Sequence, residues 1–160
     1  MTHIDRLGYT DGYMTATGHA IVGAAIVTKI PDLRIALPLA LLSHFLGDLL
    51  PHWDTGMYWR TKGINRVFWG TLVDLAVGYG LVVLIFIMFL HQDPTAIFWG
   101  VLFSQLPDFL EIPYFFLQWK FAPFTWIDKI QHVFHQKMDL PWGLVDQVVI
   151  ALLFIAWSYR

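Results

Sequence analysis

From Val67 to Leu90 the chain reads VFWGTLVDLAVGYGLVVLIFIMFL, an apolar run interrupted by one charge, Asp74. A helix needs roughly 20 apolar residues to cross the ~30 Å hydrocarbon core of a bilayer, so this run predicts a transmembrane helix. That constrains the rest of the fold. In lipid every backbone polar group must be paired within the protein, which leaves helices or closed barrels. Composition points the same way: 57% of residues are hydrophobic and 14% charged, against about 45–50% and about 25% in soluble domains. The 160 residues suffice for one domain. The expected fold is an all-α, multi-pass transmembrane bundle of four to six helices filling residues 1–160 as a single domain.

Three further long helices are expected, over Arg34–Leu50, Ala96–Phe116 and Trp142–Tyr159. Two shorter segments are less clear-cut in pattern. Ala16–Ile30 is rich in small residues, with Thr15 or Thr17 available as an N-cap. Trp126–Lys137 is amphipathic and suits a short buried or interfacial helix. Pro31 and Pro51 end the first two helices, and Pro94 suits the first turn of the fourth. Pro107 and Pro113 fall inside that helix and are expected to kink or break it. The polar start, MTHIDRLGYTDGYMT, lacks the basic, apolar and small-residue zones of a signal peptide.

With six crossings, the side of the N-terminus carries Arg6, Arg60, Lys62, Arg66, Lys120, Lys129 and Arg160, and the far side Lys29, Arg34 and Lys137. Basic residues favour the cytoplasm, so the N-terminus and the Thr55–Arg66 loop are expected there, with the protein in the cell (inner) membrane. The formal charge of −2 gives no reason to expect nucleic acid.

The ionisable residues carry the functional signal. Charge inside a membrane is costly and tends to face the bundle interior where it does work. His19 lies one turn into the first helix; His44, Asp48, His52 and Asp54 lie at the end of the second. Asp74 is two turns into the third, and Asp108 and Glu111 occupy the later half of the fourth. His132 and His135 begin the fifth segment. All fall at one depth on the N-terminal side, whereas Asp146 is placed near the far side and read as structural. His3 and His91 fall in loops and take no role.

His44 and Asp48 are four apart and share a helix face, as do Asp128, His132 and His135 at spacings of four and three. With no cysteine in the chain, a metal would be held by imidazole and carboxylate, a donor set suited to zinc, manganese or iron. Each motif has a plainer reading: a buried His–Asp pair, an interfacial polar face, a helix-to-helix hydrogen bond at Asp74. Their convergence at one depth favours a metal centre.

TGHAIVGAAI, LLSHFLGDLLPHWD, LPD and IQHVFHQ, in that order, resemble the small bacterial membrane-bound metal-dependent hydrolases, a group likened to zinc-dependent phospholipase C. His19, His44, Asp48, Pro51, Asp54, His132 and His135 match its motifs, while KIQHVFH stands where that family often has an Arg-Gly-x-Thr-His segment. The resemblance implies a metal-dependent hydrolase.

The expected ligands are His19, His44, Asp48, His52, Asp108, His132 and His135, around one or two divalent ions, most simply zinc. Asp54 or Asp74 is the expected general base. The expected substrate is a lipid-like phosphoester or ester at the cytoplasmic membrane surface, and the expected partner is membrane lipid. Two alternatives stand beside this: a small proton or cation transporter, with polar groups through the full membrane thickness, and a non-catalytic protein tied together by a structural metal or polar network.

Overall fold

The computed structural model describes residues 15–53, 63–134, 138 and 140–159. Among them there are six helices and no extended strand. They are α1 (Ala16–Lys29), α2 (Leu33–Asp48), α3 (Ile64–Val82), α4 (Pro94–Phe115), α5 (Phe124–Phe134) and α6 (Trp142–Tyr159). The end of α3 runs on as a π-helical stretch, Val83–Phe89. The all-α expectation holds, and α6 has the expected ends.

The centre is α1, which packs against α2, α3, α4 and α6. Every residue from Gly18 to Val27 is buried, as a helix apolar all round must be. Small residues let its neighbours close in. A Cβ added to Gly23 would stand 2.5 Å from Gly100 O, and one on Gly100 would stand 2.7 Å from Gly23 O. Glycine is therefore what lets the α1 and α4 backbones touch, as at the small-residue interfaces of membrane helices.

Capping fixes where α1 begins. Thr15 is its N-cap, the hydroxyl accepting from Gly18 N. Asp74 caps it a second time, from α3: its carboxylate accepts from Ala16 N at 2.6 Å and from the Thr17 hydroxyl at 2.7 Å. The first turn of α1 thus lies level with Asp74, ten residues and about 15 Å into α3.

Two expectations are corrected. Helix α4 runs through Pro107 and Pro113 without the break that is one of the two expected outcomes. The start of α6 lies on the N-terminal side, not the far side. Gln147 Oε1 accepts from Thr15 N and from the Thr15 hydroxyl, at 2.9 and 2.6 Å, and Gln147 Nε2 donates to Trp53 O. Trp53 N donates to Gly143 O at 3.2 Å. The cause is length: α5 has 11 residues, about 16 Å of helix, roughly half of what a crossing needs. Asp146 accordingly lies near the end of the bundle that holds the histidines.

The interior is more polar than the surface. The largest fully buried side chains are Phe86, His19, His44, His52, Gln105, Gln131, Asp48 and Ser104, whereas Trp69, Phe89 and Leu153 are 66%, 75% and 64% exposed. Helix α5 shows this clearly, with Trp126, Ile130 and Val133 outward and Gln131 at 0% exposure. Two helices, Ile64–Phe89 and Trp142–Tyr159, are long and apolar enough to cross a membrane.

Candidate metal centre

The polar interior concentrates where the start of α1, the end of α2 and the later half of α4 meet. His19, His44 and Asp108 each offer a ligand atom there, all within 4.8 Å of one another, and this group could hold a metal ion. Asp48 joins it from the last position of α2. Its Oδ1 is 3.3 Å from His19 Nε2, and its Oδ2 is 3.4 Å from His44 Nε2. Asp108 Oδ1 approaches the same His44 nitrogen at 3.5 Å.

Hydrogen bonding fixes how His44 faces the group. Its Nδ1 is 2.8 Å from Ser104 O; a carbonyl only accepts, so Nδ1 carries a proton. In the neutral ring Nε2 then presents a lone pair, and that lone pair points among the oxygens of Asp48 and Asp108. Backbone-carbonyl anchoring of the second ring nitrogen is how metal-ligating histidines are usually oriented.

Lone pairs gathered in this way suit a shared cation, a proton or a metal ion. Atoms about 2.0–2.2 Å from one ion at tetrahedral angles stand roughly 3.3–3.6 Å apart. Three pairs stand at 3.3, 3.4 and 3.5 Å, two of them through different oxygens of Asp48, and the ligand atoms of His19, His44 and Asp108 lie within 4.8 Å of one another. His19 Nε2 is enclosed and makes no hydrogen bond. The two imidazoles stack with centroids 4.1 Å apart. His19, His44 and Asp48 are buried, and Asp108, with its side chain 25% exposed, is the accessible edge.

Gln131 is the member that the sequence did not single out. From α5 its Nε2 donates to Asp108 Oδ1 at 3.2 Å and, with His44 protonated at Nδ1, to His44 Nε2 at 3.4 Å. His132 follows it on α5. His52 is buried just past α2, its Nδ1–H donating to Leu50 O at 2.6 Å, and it is not one of the three residues grouped within 4.8 Å. Asp74 faces the first turn of α1 instead. Asp54 and His135 lie outside the described residues.

No protein-family model, no curated protein and no solved structure matches the chain.

Proposed function

We propose that this chain is a multi-pass protein of the cell membrane and a metal-dependent hydrolase, acting on a lipid-like phosphoester or ester at the cytoplasmic surface. The observation that carries the proposal is the lone pair of His44 Nε2, held by Ser104 O and aimed between two carboxylates at metal-ligand spacing. His19, His44, Asp48 and Asp108 would hold the ion, most simply zinc, from a donor set that also suits manganese or iron. A zinc ion bound there supplies Lewis acidity and lowers the pKa of a coordinated water to about 7. The exposed edge at Asp108 is where substrate would approach. Asp54, two residues past His52, is the proposed general base. Asp74 is not put forward for that role, because its carboxylate is engaged with α1. The motif resemblance to membrane-bound metal-dependent hydrolases supports the same reading.

Helices that expose Leu, Val and Trp while burying His, Asp and Gln suit a lipid surrounding. The polar groups crowd at one end, and the core toward the other end is Ile26, Val27, Phe86, Ile97 and Val101. That lends no support to a proton or cation path through the full thickness. A structural role has one observation in its favour, the closure of the site by Gln131.

Elemental analysis of tag-free protein, purified in detergent without chelators, separates these readings. About one zinc per chain is expected, with both His44→Ala and Asp48→Asn lowering metal affinity by at least about 10–100-fold. His91→Asn, in the connection at the opposite end, should keep wild-type metal content. Metal-free wild-type protein would overturn the proposal. Metal-loaded protein that leaves every lipid phosphoester and ester intact would favour the structural role.

A further inference from the structure

Helices α3 and α6 both pack on α1 but make no contact with each other. Between them lies a groove of about 1020 Å³, with α1 as its floor. One α3 stripe lines it, Arg66, Trp69, Val73, Val77, Leu81 and Ile85, facing Leu144, Val148, Ala151 and Ile155 of α6. Both stripes follow helical periodicity, so each helix turns one continuous face to the groove. From Arg66 to Ile85 the α3 stripe rises about 28 Å, close to the ~30 Å hydrocarbon thickness. The groove and the metal group take different faces of α1: Gly18 lines the groove, whereas His19 faces Asp48.

The charge is unevenly placed. Arg66 and Asn65 stand at one end, beside Trp53 and Trp69, and everything beyond Asp74 on the α3 stripe is apolar. Among the described residues no carboxylate pairs with Arg66, and the one acid lining the groove, Asp74, is engaged with Ala16 N and the Thr17 hydroxyl. The open cation therefore sits at the mouth of a long apolar slot, flanked by two tryptophans of the kind that favours the headgroup level. A cation at the mouth of an apolar slot about as long as the hydrocarbon core matches an anionic headgroup with its acyl chains behind it.

We infer that the α3–α6 groove binds an anionic glycerophospholipid of the membrane, its phosphate at Arg66 and its acyl chains along Val73, Val77, Leu81 and Ile85. The site is separate from the metal group and does not depend on hydrolysis. Native mass spectrometry with equimolar phosphatidylglycerol and phosphatidylcholine of matched chains tests it. Wild type should retain phosphatidylglycerol in preference, and Arg66→Gln should reduce that preference about five- to tenfold. Ala151→Trp should expel both lipids. Arg66 is exposed, so its replacement leaves packing intact and keeps the test valid if the Trp variant does not fold. Equal retention of the two lipids, or a preference unchanged by Arg66→Gln, overturns the inference. So does disulfide dimerisation of a Val148→Cys variant in vesicles, which would give the groove to a second copy. Metal content is read on the same samples, so failure of the lipid site and failure of the metal site are told apart.

Discussion

At the scale of single residues, the centre depends on atoms whose partners come from distant parts of the chain. His44 and Asp48 could be read from the sequence because four-residue spacing puts both on one helix face. Gln131 could not. A glutamine in an amphipathic segment reads as solvated, and only the inversion of α5, with Trp126, Ile130 and Val133 outward, turns it inward. Gln131→Leu removes the donor to Asp108 and should weaken metal binding about 10–100-fold, as loss of supporting hydrogen bonds typically does. Competition against a chelator of known affinity measures it, and unchanged affinity would make Gln131 a packing residue only. Asp74 separates two roles. As a cap, Asp74→Ala deprives Ala16 N and the Thr17 hydroxyl of their acceptor and should cost about 1–3 kcal/mol of stability, while the folded fraction keeps its metal. As a general base, it would lower turnover at unchanged stability.

At the scale of elements, helix existence was legible because apolar length and capping are local properties. Thr15, Asp32 and Pro94 all stand at or beside helix starts, as their chemistry dictates. What proline would do inside α4 was not legible. Pro107 and Pro113 sit within a helix whose neighbours hold it in place. Close approach of α1 and α4 was likewise hidden, since a lone glycine in an apolar run does not say which neighbour it admits. Gly23 and Gly100 set that approach, and Ser104 lies on the same seam. Gly100→Val should therefore destabilise the bundle by about 1–3 kcal/mol through overpacking. It should also displace the Ser104 carbonyl and lower metal occupancy in the protein that remains folded. Gly80, where an added Cβ would meet nothing within 4 Å, is the matched control: Gly80→Ala should leave metal content unchanged, and equal metal loss in both variants would detach the seam from the site.

At the scale of the whole molecule, the decisive correction concerns the last helix. Hydropathy alone suggests alternating crossings, and counting α5 as one puts the start of α6 on the far side. Eleven residues are too few, and the hydrogen bonds of Gln147 to Thr15 and Trp53 join the starts of α1 and α6 to the end of α2. With α5 entering and leaving on one side, Arg66, Lys120 and Lys129 share the end that holds the start of α1, and Lys29 and Arg34 lie at the other. The basic excess therefore stays with the N-terminus, and that end remains the one expected in the cytoplasm. The absence of native cysteine makes this directly testable with single-cysteine variants. Cysteines at Gly56 and Leu140 should both be protected from a membrane-impermeant thiol reagent in intact cells, and one at Gln92, between α3 and α4, should react. Six crossings would instead leave Gly56 protected while Leu140 labels with Gln92. Labelling of Gly56 and Leu140 together, with Gln92 protected, would turn the expected orientation over, placing the His19–His44–Asp108 group on the outer face.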